Sequence, residues 1–213
     1  MSKLLNNNKG LSLIELIVVI AIMAVMIGGI GFSISMLSGA EAKQAVQKLN
    51  AQLNDVKTGT MTKAGEVLIF RYITVADSNK DARAKDGIDK SGYYADKCVY
   101  TIMNNAPGSD IKTAYDDKHE YSFVGSKKVK ITFYYGGGKK YEMDGTDDSK
   151  AVKLEFNRRT GAFEDMCIGS VSTTDVFSET NSNLGDIEKV TFECGLRTYT
   201  LNINAKTGKY SIE

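Results

Sequence analysis

Leu11 to Leu37 reads LSLIELIVVIAIMAVMIGGIGFSISML, 27 residues that contain one charge, Glu15. At a rise of about 1.5 Å per residue such a helix is about 40 Å long, enough to cross the hydrocarbon core of a bilayer. The ten residues before it, MSKLLNNNKG, carry only Lys3 and Lys9 as charges. Flanking positive charge holds that end in the cytoplasm and sends the remainder outward. Beyond Leu37 acidic and basic residues are equal in number. Three ordinary explanations compete for this segment. A cleaved secretory signal has an apolar core of roughly 7–15 residues, and this run is much longer, although Ser38-Gly39-Ala40 weakly resembles a cleavage site. A lipoprotein signal needs a cysteine at the end of the run, where none occurs. A plain signal anchor stays open, because any apolar run of this length can serve as one.

Two details argue for more than an anchor. Glu15 lies inside the apolar run, where a lone charge costs roughly 2.5–3.5 kcal/mol and calls for a partner. The polar leader also stops abruptly at Gly10, whose bare backbone suits the close approach of a protease.

The run Lys9-Gly10-Leu11-Ser12-Leu13-Ile14-Glu15-Leu16 resembles the class III leader of type IV pilins and pseudopilins. The resemblance covers about thirty residues. It implies cleavage after Gly10 by a membrane-embedded prepilin peptidase and N-methylation of the new terminus at Leu11. Glu15 matches the family's acidic residue, for which an assembly contact is expected, and Leu11 replaces the more usual Phe. The chain departs from many type IV pilins in having no proline before Pro107. Gly28, Gly29 and Gly31 either loosen the helix in its place, at about 1 kcal/mol of propensity each, or form a close-packing face. The resemblance also implies the partners: other pilin subunits, the peptidase, the pilus assembly platform, and the cytoplasmic membrane before assembly.

Past the apolar run, Ala42, Val46, Leu49, Leu53 and Val56 recur at spacings of 4, 3, 4 and 3. This pattern predicts one apolar stripe on a continuing helix that fades at Lys57-Thr58-Gly59. The rest reads mostly as strands. Glu66–Thr74 is rich in β-formers, Cys98–Met103 is a short candidate, and Val129–Tyr135 and Lys139–Met143 flank three glycines as in a hairpin. Ala76–Asp96 and Asn104–Lys118 are charge-dense and read as surface loops. An internal echo, L-x-[FI]-N-x-x-T-G-x-[FY], occurs at 154–163 and again at 201–210, which predicts two hairpins of similar design. Ile187–Glu193, Leu196–Ile203 and Lys209–Ile212 then form a meander. The expected fold class is α+β, a long N-terminal helix packed on a C-terminal antiparallel sheet domain. The expected divisions are a leader at 1–10, an apolar helix at 11–37, an amphipathic continuation at 38–57 and a β-rich head at 58–213.

Chemistry-bearing residues are few. The chain of 213 residues has three cysteines and one histidine, with 27 Lys+Arg against 26 Asp+Glu. That near-neutral balance gives no electrostatic drive toward nucleic acid. Lys127, Lys128, Lys130, Lys139 and Lys140 surround an aromatic hairpin, which admits base stacking but more simply makes a charged strand face. An exported domain with an odd cysteine count leaves one over. The pilin resemblance implies a staple in the C-terminal half, with Cys167 and Cys194 as the candidate disulfide; three buried free thiols are the alternative. Cys98, Cys167, Cys194 and His119 are zinc-ligand types, but no C-x-x-C spacing unites them. Asp77-Ser78-Asn79-Lys80-Asp81 starts like a calcium loop, yet Ala82 and Ile88 stand where that loop needs Gly and Glu. Neither a resident metal nor a cofactor is expected. No nucleophile–base pair is recognisable, so no catalytic residue is assigned.

The sequence therefore points to a filament subunit of the type IV pilus kind, held in the cytoplasmic membrane as precursor and carried to the cell surface or across the envelope after processing. A pseudopilin of a type II secretion or competence DNA-uptake system shares the same N-terminus. A signal-anchored surface binding domain that never polymerises is the reading from a different class.

Overall fold

The computed structural model describes residues 12–62, 66–76, 78, 84–102, 113–115, 119–143, 145–171, 177–181, 184 and 186–213; within these, side chains are described except at 28–38, 99–102, 113–115, 178, 179 and 181. Among the described residues, helix α1 (Leu13–Thr62) precedes the strands β1 (Glu66–Ile73), β2 (Gly92–Ile102), β3 (Thr113–Tyr115), β4 (Glu120–Gly125), β5 (Lys130–Tyr135), β6 (Lys139–Met143), β7 (Lys150–Phe156), β8 (Phe163–Val171), β9 (Phe177–Asn181), β10 (Ile187–Cys194), β11 (Arg197–Asn204) and β12 (Lys209–Ile212). The chain is α+β, as its sequence pattern implies, and divides into two compact units at Leu37/Ser38.

In the first unit every described side chain from Ser12 to Ile27 is exposed, including Leu13, Ile14 and Val25 at more than two thirds of their surface. Among the described residues no helix is long and apolar enough to cross a membrane. The described side chains cover only 12–27 of the apolar run, short of the roughly 20 residues that a spanning helix needs.

In the second unit the predicted stripe is the side of α1 that the head covers. Ala42, Val46, Leu49, Leu53 and Val56 are all fully buried, with Ala45 added. They share one core with both sheets. The larger sheet is antiparallel in the order β3-β2-β1-β7-β8-β9, with β4 also paired to β2. It contributes Leu68, Phe70, Tyr93, Val152 and Leu154 to that core, and the smaller sheet, β12-β11-β10-β5-β6, contributes Ile131, Phe133, Val190, Phe192 and Leu201. Strand β1 lies between β2 and β7 and is buried along all eight residues, the charged Glu66 and Arg71 included. A chain beginning at Ala40 therefore holds a complete core, and we expect it to fold without the apolar segment. Circular dichroism should show mixed helix and strand with a cooperative melt; an aggregated product without one would place the boundary elsewhere.

Two boundaries differ from the sequence reading. The helix does not stop at Lys57-Thr58-Gly59 but reaches Thr62. Tertiary contacts outweigh the glycine's roughly 1 kcal/mol of lost propensity: Thr60 is buried and donates its hydroxyl to the Glu66 carbonyl at 2.8 Å. Gly59 has no side chain where the Glu66 carboxyl group lies, so a Cβ there would collide with it. The stretch Ala76–Asp96 is not loop throughout, because β2 begins at Gly92. Tyr93 and Tyr94 anchor that strand on opposite faces. Tyr93 stacks on Phe70 and donates to the Met143 carbonyl at 2.8 Å, while Tyr94 donates to the Lys90 carbonyl at 2.8 Å. Of the other expected loop, Asn104–Lys118, only Thr113–Tyr115 is described, and it is strand β3.

The hairpins form as their turns predict, and the two copies of the echo meet each other. Residues 157–162 close β7 to β8, and residues 205–208 close β11 to β12. The Phe163 N–H donates to the Ala205 carbonyl at 2.9 Å, and the Lys57 amine donates to the Gly208 carbonyl at 2.7 Å. Gly208 sits at φ +57°, where a Cβ would strike the Gly161 carbonyl oxygen. Gly137 has φ +80° with open space around it. We expect Gly137→Ala to lose about 1 kcal/mol, the strain of a left-handed L-residue. Gly208→Ala should lose at least about 2 kcal/mol more, since two backbones must part. Urea unfolding of the two variants measures the difference; equal losses would mean that the turns do not need this approach.

Candidate functional site

The N-terminal junction comes first. Gly10 and Leu11, the expected cleavage and methylation residues, lie outside the described residues. Ser12 and Glu15 are described and form a reciprocal capping box at the start of α1. The Glu15 N–H donates to Ser12 Oγ at 3.2 Å, and the Ser12 N–H donates to Glu15 Oε2 at 3.2 Å. Each satisfies a backbone donor that the helix start would leave open. The carboxylate also lies at the positive end of the helix dipole. The leader thus has a local structural use for Glu15 that the sequence reading did not include.

The cysteines do not pair as expected. Cys98, Cys167 and Cys194 are all buried, and none is joined to another by a disulfide. Cys167 lies on β8 among Val67, Ile69, Cys98, Ala151, Val171 and Phe177, whereas Cys194 ends β10 in the core shared with the helix. The two residues face separate apolar clusters, so no disulfide joins them. Burial pushes the Cys194 thiol above its ordinary pKa, with the Glu41 carboxylate adding to the effect. Cys98 and Cys167 share a cluster but stand three strand spacings apart, about 14 Å, well beyond a disulfide's reach.

Cys98 has other company. Asp96 and Cys98 alternate along β2 and so project from the same face, on which His119, just before β4, joins them. His119 Nδ1 lies 3.0 Å from Asp96 Oδ2 and 3.2 Å from Cys98 Sγ, and Cys98 Sγ lies 3.2 Å from Asp96 Oδ1. Asp96 is 2% exposed and His119 16%. The imidazole stacks on Tyr121 at 5.7 Å, and Arg71 donates to the Tyr121 hydroxyl at 3.0 Å. Lys97, on the opposite face, is ion-paired to Asp55 at 2.7 Å and Glu120 at 2.9 Å. Burial opposes its charge, but these two partners prevail and hold its pKa well above the ordinary lysine value. Of the four zinc-type residues weighed from sequence, the fold unites only Cys98 and His119. It adds Asp96, hidden in the sequence because the charge-dense stretch before it reads as loop. The signal that would have found it is the alternation Asp96-x-Cys98 once β2 is started at Gly92.

The remaining candidates are quickly placed. Lys130 and Lys140 both pair with Glu142, at 3.2 Å and 2.9 Å, so part of the lysine cluster's charge is met within its own hairpin. Hydrogen bonding between them raises the Lys140 pKa and lowers that of Glu142. Asp77, Asn79 and Asp81 of the calcium-like run lie outside the described residues.

Residues 5–31 match the prokaryotic N-terminal methylation motif. The chain carries the class III prepilin leader of type IV pilin-like and pseudopilin-like proteins. Comparison with curated proteins and with solved structures gives no match. The motif supports a pilin-like or pseudopilin protein, a group whose members are generally structural, and implies a prepilin peptidase and other pilin-like subunits as partners.

Proposed function

We propose that this chain is a structural subunit of a type IV pilus or pilus-like filament. A prepilin peptidase cuts it after Gly10 and methylates Leu11, and residues 11–37 anchor the precursor in the cytoplasmic membrane. In assembly the same segment leaves lipid for a bundle of like helices, guided by the assembly platform, while the head faces outward. The observation that carries this reading is the methylation motif at 5–31 leading into a helix whose apolar side chains stand exposed up to Ile27 and whose later stripe is buried by its own head. Exposed apolar surface of this extent needs lipid or neighbouring chains. Mass spectrometry of the native protein should find a chain that begins at Leu11 and carries one added methyl group. Electron microscopy of sheared filaments, labelled with antibody to the head, should show it along the fibre. An intact N-terminus at Met1 in otherwise native cells would overturn the proposal. Processing at Leu11 without extended filaments would favour the pseudopilin instead.

A further inference from the structure

We propose that Asp96, Cys98 and His119 form a binding site for one zinc ion in the head. The three offer a carboxylate, a thiolate and an imidazole nitrogen, a set that suits Zn2+, whereas Ca2+ and Mg2+ favour oxygen ligands throughout. His119 Nδ1, Cys98 Sγ and Asp96 Oδ1 form a triangle with sides of 3.1, 3.2 and 3.2 Å. One face of a zinc tetrahedron with ordinary bond lengths has edges of about 3.3–3.6 Å. Each side needs to open by only a few tenths of an ångström. The fourth position is left for a water ligand, and His119 is the least buried of the three residues.

Two other chemistries fit less well. In a thiol–imidazole–carboxylate relay, the nucleophile and the carboxylate bond opposite nitrogens of the ring. Here both approach Nδ1, and Cys98 is fully buried, so no substrate reaches the sulfur. Hydrogen bonding alone lets the thiol and the imidazole N–H each donate to one oxygen of Asp96. That arrangement leaves at most a weak N–H to sulfur contact across the 3.2 Å side between Sγ and Nδ1. A cation at the centre uses all three sides at once. The surroundings suit ligation too. β2 fixes Asp96 and Cys98 at alternate positions, and the Tyr121 ring, itself held by Arg71, sets the plane of the imidazole. Bound there, the ion would add to the strand pairing and the Lys97–Glu120 ion pair that already join the start of β4 to β2.

The test uses the full-length protein in detergent, with Zn2+ and Co2+ alone as probes. After dialysis, native mass spectrometry should find one Zn2+ per chain, and Co2+ should give a near-ultraviolet thiolate charge-transfer band. Cys98→Ser, His119→Gln and the isosteric Asp96→Asn should each weaken Zn2+ binding at least ~100-fold, more than the loss of a merely supporting residue does. Cys167→Ser should keep both the ion and the band. Circular dichroism of each variant separates lost ligation from lost folding, and the Co2+ band of the unaltered protein reads thiolate ligation without any substitution. No retained Zn2+ and no Co2+ band in the unaltered protein would overturn the proposal. So would a band that persists in folded Cys98→Ser.

Discussion

Gly10→Val should leave the chain uncut. The peptidase must bring its reacting groups to the backbone at the Gly10–Leu11 junction, where a polar leader meets an apolar helix. Glycine leaves that backbone bare, whereas a β-branched side chain crowds it and narrows its conformations. Displacement of a scissile bond by about 1 Å is enough to slow a positioned reaction about 100-fold. We therefore expect processing to fall by at least that factor. Immunoblots should show only the precursor, in the membrane fraction, with no methylated Leu11 terminus and no filament. Gly10→Ala, with one added methyl group, should be cut at an intermediate rate. Unimpaired processing of the valine variant would remove the peptidase from the account.

Glu15→Leu should give the opposite pattern, with normal cleavage and failed assembly. The proposed cleavage would create a positive amine at Leu11. In a bundle of helices, that amine on one chain can pair with Glu15 of the next and set the axial stagger between them. Removing the carboxylate leaves the amine without a counter-charge in an apolar setting, a loss on the scale of 2.5–3.5 kcal/mol. Incorporation should then fall on the order of 100-fold. The capping box supplies a rival explanation, because Leu also removes the bond from Glu15 Oε2 to the Ser12 N–H. Glu15→Gln separates the two. Glutamine completes a capping box as well as glutamate does, but it carries no charge. If pairing governs assembly, Gln fails like Leu while Asp, charged but shorter, is intermediate. Wild-type incorporation of the Gln variant would sink the pairing mechanism and leave helix capping as the role of Glu15. The methylation motif would stand in either case.

The contrast between these residues and the head shows where local pattern suffices. On the proposed function, a peptidase reads Lys9 to Leu16 as a short contiguous stretch, so its meaning lies in neighbouring residues. The stripe from Ala42 to Val56 was legible for a related reason. A helix places residues three and four apart on one face, and the apolar face must find cover. The echoed T-G turns were legible because glycine at positive φ closes a hairpin whatever surrounds it. The same periodicity did not reveal the helix end. Thr60 joins the helix to β1 through the Glu66 carbonyl, a contact set by how the strand returns.

By itself, the sequence determined the leader, the apolar segment, the amphipathic stripe, the hairpins and the α+β class. Each depends on patterns no longer than one element and its turn. Only the tertiary structure decided that β1 runs between β2 and β7, that Cys167 and Cys194 face different clusters, and that Asp96 and Cys98 meet His119. Those arrangements follow from strand order and register, which join residues distant in the chain. A shift of one residue in register exchanges the two faces of a strand, so no local pattern can say which side chains will share one.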